Sequence, residues 1–527
     1  MKKILCIFLA SFICLFSVSC SNNTTTREYK DIEIVDDKYR NYYEIFVWSF
    51  YDSNGDGIGD INGVTEKLDY IKDLGFNGIW LMPITSGYSY HKYDVTDYYN
   101  VDANYGTLDD FKTLITNAHE KNIDVIIDLV INHTSSHHSW FTEATDFIKK
   151  YGEPGGTYGN YFNFDTEAKS GYSKITGTNY YYEAQFWSEM PDLNLDNENV
   201  KNEISNIMEF WLDLGCDGFR LDAVTSYYTN NVEKNVEFLS WLNTKAKSIK
   251  EDCYIVGEAW INSDTGIRQY YNSGIDSFFT FTLSSGEGNI ASTVKDNNKK
   301  RGESLNTLLK NLDTIYDIGI LAPFLSNHDM NRITNFVGSA NFTKIKFVQG
   351  LLSLMKGNTF VYYGEEIGMV SSNTDPNRRL PIRWSISDSK GKVTKLPDGG
   401  SISSNTYKFG SVEDNCADED SILNYYKYSN YLRNANPEIA RGSTTIFNSY
   451  TTTNPNVSVF QRSWNGNKIT IVVNLSGEET YDVELNKDEL GYSGMTHYLC
   501  STVTDRVTFN ENKNIVSLPP YSISIFR

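Results

Sequence analysis

Cysteine is scarce and scattered in this chain of 527 residues. Three of the seven cysteines lie within the first twenty residues, and Cys216, Cys253, Cys416 and Cys500 are far apart, with no CxxC pair. Such spacing argues against both a disulfide framework and a cysteine-based zinc site. Cys216 and Cys253 each precede an apolar run, so we expect them to be buried as small hydrophobic residues.

Positive charge is also in deficit. The chain has 47 Lys and Arg against 67 Asp and Glu, which gives a formal net charge of -20. A field of that sign repels nucleic acid and anionic lipid, and it tolerates neutral ligands and attracts cations. The sequence also contains no glycine loop of the kind that cradles phosphate, no Ser-His-Asp arrangement and no internal repeat.

Only one long apolar run is present, and it stands at the N-terminus. "ILCIFLASFICLF" follows Lys2 and Lys3 and is too short to span a bilayer comfortably, so residues 1–20 read as a secretory signal. "SVSC" resembles a bacterial lipobox ending in Cys20, although Ser17 stands where Leu is usual. The expectation is an exported protein, secreted or held at the cell surface or in the periplasm by a lipid on Cys20, with residues 21–40 as a tether.

Aromatic residues are abundant, at 14% of the chain with 37 Tyr and 9 Trp. A Tyr or Trp face offers apolar contact and its edge a hydrogen bond, which suits stacking on sugar rings. A Tyr-rich surface without a ligand fits the composition equally well.

Short β-branched runs alternate with amphipathic helical stretches from residue 42 onward. The eight candidate strands are "YEIFVWSF", "FNGIWLMP", "DVIIDLVINH", "GFRLDAV", "CYIVGEAW", "DSFFTFTL", "ILAPFLSNHD" and "NTFVYYGEE". This alternation predicts an α/β fold, a (β/α)8 TIM barrel formed by 41–133 and 200–440. The long connection 134–199 predicts an inserted domain after strand 3. Short alternating strands in 441–527 predict a C-terminal antiparallel β-sandwich.

Polar residues gather where these strands end. In a (β/α)8 barrel the active site is built at the carboxyl ends of the strands, so these side chains should meet at one mouth. They are Asp128, Asn132, His133, Arg220, Asp222, Glu258, Asn327, His328 and Asp329.

Paired carboxylates on adjacent strands suit retaining glycoside hydrolysis, in which one carboxylate is the nucleophile and the other is first acid and then base. Asp222 and Glu258 follow strands 4 and 5. Arg220 precedes Asp222 by two residues and shares its side of the strand, where it favours a charged carboxylate. We expect Glu258 to be protonated as the acid, and Asp329 to stabilise the cationic sugar.

The motifs "DLVINHTS", "GFRLDAV", "VGEAW" and "FLSNHD" resemble, in order and spacing, the four signature regions of the alpha-amylase family of retaining glycoside hydrolases, family 13. "GIWLMP", "YYGEEIGM" and "RRLPIRW" are similar to that family as well. The resemblance implies that Asp222 is the nucleophile, Glu258 the acid/base and Asp329 the third carboxylate. It also implies that Tyr93, His133, Arg220 and His328 line the sugar site.

"MPDLN" at 190–194 resembles the fifth signature of a subgroup between oligo-1,6-glucosidases and neopullulanases. Tyr90 stands where exo-acting alpha-glucosidases tend to carry Asp, and Ala223 where 1,6-specific relatives usually have Val. The resemblance therefore favours an alpha-amylase that cleaves internal α-1,4 bonds of starch, glycogen and maltooligosaccharides. The alternative enzymes are an alpha-glucosidase, an oligo-1,6-glucosidase or a neopullulanase-like enzyme.

"DSNGDGIGD" at 52–60 has the ligand pattern of a calcium loop, but Gly63 stands where an EF-hand needs Glu. It resembles the loop after strand 1 of oligo-1,6-glucosidases and related amylases. The resemblance implies a structural Ca²⁺ held by Asp52, Asn54, Asp56, Ile58 and Asp60. The alternative is a turn with solvated acids.

Many amylases carry Lys-His shortly after the nucleophile, serving a sugar subsite and a calcium ion between barrel and insertion. This chain has Thr225 and Ser226 there. The resemblance therefore gives no basis for a second calcium ion at that place.

Two alternatives are not enzymes. One is a glucan-binding lipoprotein, and the other is a barrel that has lost catalysis and binds partners. Neither needs Asp222, Glu258 and Asp329 together, and this chain has all three. The expected partner is an α-glucan, with no nucleic acid, and the expected state is a monomer.

Overall fold

The computed structural model describes residue 32 and residues 34–527, apart from 287, 296–298, 316–317 and 504. Residues 34–527 form one compact unit. The predicted signal segment 1–20 and Cys20 lie outside the described residues. Within the described part, no helix is both long and apolar enough to cross a membrane.

Eight parallel strands form the central sheet. They are β1 Asn41–Ile45, β2 Gly78–Leu81, β3 Asp124–Leu129, β4 Gly218–Leu221, β5 Tyr254–Gly257, β6 Ser277–Phe279, β7 Ile320–Ala322 and β8 Thr359–Tyr362. The strands β1 to β7 pair in sequence order, and β1 also pairs with β8. An isolated parallel bridge between Phe324, two residues after β7, and Phe360 on β8 links the two ends of the sheet and closes the ring. The predicted (β/α)8 barrel is confirmed.

Several strands end earlier than the apolar runs suggested. The chain passes from β1 into a 3-10 turn at Val47–Ser49, and similar turns follow β6 and β8 at Phe281–Leu283 and Glu365–Ile367. Val47, Phe281 and Leu283 of these turns are buried as well, so hydrophobicity alone does not mark the end of a strand. A separate cluster fills the barrel interior, and its members include Tyr42, Trp80, Ile126, Tyr254, Phe279 and Phe360.

Helices surround the sheet, and several of them bury one apolar face. In the helix Leu108–His119 the buried residues recur at helical spacing, and Thr107 and Asp110 form a capping box at its start. The helices before the C-terminal sheets are Ile61–Glu66, Leu68–Asp73, Leu108–His119, Ser139–Tyr151, Glu198–Asp213, Val232–Ile249, Asp264–Tyr270, Asn289–Thr293, Arg301–Asp313, Ile333–Val337, Phe342–Ser353, Asp375–Arg378, Val412–Ala417, Ile422–Ala435 and Glu438–Arg441.

The segment after β3 carries its own small sheet. It contains the helix Ser139–Tyr151 and the antiparallel strands Phe164–Asp165, Tyr172–Lys174 and Tyr181–Glu183. A hairpin of Thr85–Gly87 and Val95–Val101 leaves the barrel after β2. The bridge between His133 and Asp192 ties the start of the inserted segment to its end. The hairpin leaves the barrel after β2 and the inserted segment after β3, so both begin at the carboxyl ends of strands. The boundaries predicted for this domain stay predictions.

Two antiparallel sheets follow the barrel. The first contains Ser443–Ile446, Val457–Trp464, Asn467–Asn474, Ser522–Phe526 and Met495–Cys500, and the second Tyr481–Glu484, Ile515–Leu518 and Thr508–Asn510. Short helices at Asn448–Thr453 and Lys487–Leu490 accompany them. One apolar cluster draws residues from both sheets, including Val459, Val472, Val516 and Leu518. The C-terminal sandwich is therefore confirmed.

Part of the predicted tether packs against the body of the protein. Arg40 pairs with Asp124 at 2.9 Å, and Lys38 pairs with Asp276 at 2.7 Å. Both acids lie at the amino ends of barrel strands, so this stretch lies at the end of the barrel opposite the predicted site.

All four described cysteines are free, and Cys216 and Cys253 are completely buried, as predicted.

Candidate active site

Arg220, on β4, joins three of the predicted carboxylates. Its Nη1 donates to Asp128 at 2.8 Å and to Asp222 at 2.7 Å, and its Nη2 lies 2.9 Å from Glu258. The guanidinium is fully buried and stacks over the ring of Trp80 at 5.1 Å. Parallel strands bring their carboxyl ends to one edge, so β3, β4 and β5 each deliver one acid to this cation.

Asp222 and Glu258 bind one guanidinium through different nitrogens, which places the two carboxyl groups side by side. The turn after Asp222 adds a second link, because the backbone N–H of Ala223 donates to Glu258 Oε2 at 3.1 Å. Ala223 adopts a φ of 48°, an uncommon left-handed conformation for a residue other than glycine. The other oxygen of Glu258 is buried and has no hydrogen-bond partner among the described residues.

Burial raises the pKa of Glu258 to about 8, because Asp222 and Asp329 add to the effect and Arg220 only partly opposes it. Burial likewise raises the pKa of Asp128 to about 7 against the pull of Arg220. A carboxyl group with a pKa near 8 is protonated at neutral pH, as a general acid must be. The role of Glu258 as the acid stays a prediction.

His328 and Asp329 follow β7 and form a second charged group. His328 Nε2 lies 3.1 Å from Asp329 and 2.7 Å from the hydroxyl of Tyr93, whose ring stacks on the imidazole. Asn327 accepts from the backbone N–H of Asp329 at 3.0 Å and holds this turn. Burial opposes the charge on Asp329, yet His328, Arg379 and Arg220 outweigh it and hold the pKa of Asp329 well below its ordinary value.

Tyr93 connects the two groups. Its hydroxyl donates to Asp128 at 3.1 Å and lies 3.4 Å from Arg220 Nη1. The predicted residues Tyr93, Arg220, Asp222, Glu258, His328 and Asp329 are therefore brought together at the carboxyl ends of the strands, with Asp128 beneath them.

His133 lies where the inserted segment begins, and it forms a backbone bridge with Asp192 at the end of that segment. It is buried, burial lowers its pKa, and its Nε2 has no partner within the described residues. A buried ring nitrogen without a partner is suited to a hydrogen bond with a sugar hydroxyl. Asn132 beside it donates to Asp192 at 3.4 Å. Asn132 and Asp192 line a cavity of about 350 Å³ that also touches Glu183 and Tyr228.

Two residues of the site were not assigned a role from sequence. Arg379 pairs with Asp329 at 2.9 Å, and Glu44, on β1, lies 2.6 Å from His328 Nδ1. Glu44 is a charged residue inside an apolar strand, which is a signal that could have identified it. Arg379 is in the quoted motif "RRLPIRW", but nothing in its spacing along the chain points to Asp329.

The rim of the mouth carries aromatic side chains. Trp260, two residues after Glu258, is half exposed and stacks on Phe281 with ring centroids 4.7 Å apart. Phe186 is also half exposed and packs against His133 at 5.6 Å. Tyr90 binds Asp375 through its hydroxyl. Exposed aromatic faces beside buried carboxylates give a surface on which sugar rings can stack.

The loop 52–60 lies apart from these residues, after β1. Asp52 accepts from the N–H groups of Gly55 and Gly57, both at 2.7 Å, and Asp56 accepts from that of Ile58 at 2.8 Å. Asp60 caps the helix Ile61–Glu66. Among the described residues, no group of three or more His, Cys, Asp or Glu side chains is arranged to hold a metal ion. The loop acids are therefore not gathered into a carboxylate cluster.

Comparison with known proteins gives a family match over most of the chain. Residues 44–442 match the model described as "Alpha amylase, catalytic domain". That range runs from Glu44 on β1 to the start of the C-terminal sheets, and it contains every residue of the site described above.

Relatives match over similar spans. The chain is 41% identical over 405 residues to "Alpha-amylase 3" of Dictyoglomus thermophilum, covering 74% of this chain and 76% of that protein. It is 28% identical to "Oligo-1,6-glucosidase" of Bacillus cereus, covering 92% and 98%. The solved structure "Eubacterium rectale Amy13B" is 42% identical, with a TM-score of 0.88 over 94% of this chain and 96% of that one.

Proposed function

The chain belongs to the alpha-amylase family of glycoside hydrolases, and from that premise we propose that it cleaves internal α-1,4-glucosidic bonds of starch, glycogen and maltooligosaccharides with retention of configuration. The observation that carries the proposal is the pair Asp222 and Glu258 on one guanidinium. Retaining enzymes hold their two carboxyl groups only ~5–5.5 Å apart, closer than inverting enzymes, which leave room for water between them.

In the proposed reaction, Glu258 protonates the leaving glycosidic oxygen while Asp222 attacks the anomeric carbon. The covalent glycosyl ester on Asp222 is then hydrolysed by a water molecule that Glu258, now deprotonated, activates as a base. The unpartnered oxygen of Glu258 is the one free to reach the leaving oxygen, because the other is held by Ala223.

Asp329 stabilises the cationic sugar as the bond breaks, and its low pKa keeps it charged for that role. His133 offers an unoccupied ring nitrogen for a sugar hydroxyl. His328 differs, because both of its ring nitrogens already have partners.

Cleavage of internal bonds with retention predicts two properties of the first products. Starch viscosity should fall early relative to the release of reducing ends, and NMR should show the α-anomer first. Tyr90, "MPDLN" and the likeness to an alpha-amylase support internal cleavage. An initial β-anomer would contradict the mechanism. Glucose as sole first product, with an oligosaccharide blocked at its non-reducing end left intact, would favour an alpha-glucosidase instead.

The likeness to an oligo-1,6-glucosidase keeps α-1,6 hydrolysis as the second candidate function. A parallel digestion of pullulan and isomaltose distinguishes the two. Faster cleavage of isomaltose than of maltooligosaccharides would select the second candidate.

For the loop 52–60 we propose a structural Ca²⁺. The proposed donors, Asp52, Asn54, Asp56, Asp60 and the carbonyl of Ile58, are all oxygens, which is the chemistry Ca²⁺ takes. Each bonded oxygen of Asp52 accepts one N–H and keeps a lone pair. The ion would stabilise the fold and would take no part in the chemistry, because the loop follows β1 and the catalytic carboxylates follow β4, β5 and β7.

Calcium should raise the melting temperature of the protein by about 3 °C at a hundredfold excess over Kd. Asp56→Ala should abolish this shift and leave activity at low temperature unchanged. Asp388→Ala is the matched control, because Asp388 is also exposed and accepts the N–H of the residue two positions later. If calcium does not change the melting temperature of the wild-type protein, the loop is a turn without a bound ion.

Export and attachment through a lipid on Cys20 also stay proposals, together with a monomeric state. Mass spectrometry of the mature N-terminus from expressing bacterial cells tests the export and the lipid attachment. Cleavage before Cys20 with an added diacylglycerol is the expected result, and an unmodified N-terminus would mean a secreted protein.

A further inference from the structure

Glu44 is a buried carboxylate that the proposed reaction does not use. It is the fourth of the five residues of β1, is 1% exposed, and its Oε1 is 2.6 Å from His328 Nδ1. The strand register places Glu44 between Trp80 and Tyr362. A buried acid in an apolar strand is costly unless it is paired, so the contact with His328 needs a physical explanation.

The partners of His328 are all acceptors or are available as acceptors. Tyr93 has one hydroxyl proton, and it donates that proton to Asp128, so it accepts from His328 Nε2. Asp329, 3.1 Å from the same nitrogen, is a carboxylate, as is Glu44 at Nδ1. An imidazole ring that faces acceptors on both sides satisfies them only when both nitrogens carry a proton.

The ring is also fixed in orientation. Tyr93 stacks on it with an interplanar angle of 14°, and Trp80 meets it edge to face at 5.6 Å. Burial alone lowers the pKa of His328, but Asp329 and Glu44 outweigh burial and raise it to about 10. The charged ring in turn lowers the pKa of Asp329.

Other charged groups face this pair. Arg379 and Arg220 lower the pKa of Asp329. The charge of His328 acts against the rise in the pKa values of Glu258 and Asp128. The charge of Glu44 contributes to the raised pKa values of Glu365 and Tyr362. The two arginines act in the same direction as His328 on Asp329, so removing Glu44 weakens the stabilisation of Asp329 without abolishing it.

We propose that Glu44 is a positioning residue for the reaction, which holds His328 doubly protonated and aims its Nε2 at Asp329, the carboxylate that stabilises the cationic sugar. This rests on the proposed function for its catalytic consequence. The proton arrangement itself rests only on the contacts of Glu44, His328 and Tyr93.

The first test is the protonation state of His328 in the intact protein. The chain has seven histidines, so ring ¹⁵N NMR with labelled histidine is tractable, and His328→Asn assigns the signal. We expect both ring nitrogens of His328 to be protonated at pH 7. In Glu44→Gln the ring should lose its proton at lower pH than in wild type, because a negative charge beside the cation is gone.

The second test is kinetic. Glu44→Gln should lower kcat about tenfold to hundredfold, less than the ~10²–10³-fold cost of deleting a donor that stabilises the transition state directly. KM should stay within about threefold, because Glu44 does not reach the sugar. Glu366→Gln is the control, since Glu366 is also fully buried and binds Tyr43 and Tyr70 instead.

A wild-type His328 that is neutral at pH 7, accepting a proton from a protonated Glu44, would overturn the proposal. So would a Glu44→Gln variant with unchanged kcat and ring titration. If Glu44→Gln does not fold, the titration of the wild-type protein still shows whether His328 carries both protons at pH 7. If the protein does not hydrolyse glucans, the kinetic comparison fails while the NMR result stands, so the two failures are distinguishable.

Discussion

Asp222→Asn should lower kcat on maltooligosaccharides by about 10⁴-fold or more, because an amide oxygen is too poor a nucleophile to form the glycosyl ester. The side chain keeps its volume and an oxygen to accept from Arg220, now 2.7 Å from Asp222. The fold should therefore survive, with a thermal melt close to that of wild type. A substrate with an activated leaving group, such as a maltosyl fluoride, should not restore the rate.

Asp217→Asn is the matched control. Asp217 precedes β4, the strand that carries Arg220 to the mouth, and pairs with His119 and Lys250 at the opposite end of the barrel. Its variant should lose some stability and keep kcat at low temperature. Substantial activity in Asp222→Asn, measured on protein free of wild-type contamination, would mean that the nucleophile is misassigned.

Glu258→Gln should produce a loss that depends on the leaving group. On starch the rate should fall ~10²–10⁴-fold, since proton transfer to the glycosidic oxygen is lost. On a maltosyl fluoride the first step should be nearly normal, because fluoride departs without a proton. Added azide should then increase turnover and yield an α-glycosyl azide, since azide needs no general base to attack the intermediate.

The protonation of Glu258 also predicts the pH profile of the wild-type enzyme. The acid must be protonated, and burial raises its pKa to about 8. The kcat/KM should therefore hold up at neutral pH and fall as the pH rises through about 8. In Glu258→Gln this alkaline limb should disappear for the fluoride substrate.

Glu365→Gln is the control for Glu258→Gln. Glu365 is also buried, and burial raises its pKa to about 8 as well, but it binds Ser326. Its variant should show no dependence on the leaving group. Equal losses on starch and on the fluoride in Glu258→Gln would contradict the role of Glu258 as the acid.

The sequence determined the fold class and predicted the candidate catalytic carboxylates. Eight β-branched runs alternating with amphipathic stretches predicted the barrel, since a parallel sheet buries both faces of each strand and requires crossover helices. Asp222, Glu258 and Asp329 were predicted because the ends of such strands converge, and the structure places all three around Arg220 and His328. The ends of the strands were less well predicted, because buried 3-10 turns are as apolar as the strands they follow.

Only the tertiary structure decided which groups pair across the barrel. Glu44 and His328 are 284 residues apart, and Asp329 and Arg379 are 50 apart, so neither spacing carries a local signal. The protonation of Glu258 and the charge on His328 also depend on burial and on neighbours from other strands. Side-chain type and local pattern are properties of the sequence, whereas desolvation and charge pairing arise only when distant strands close into one ring.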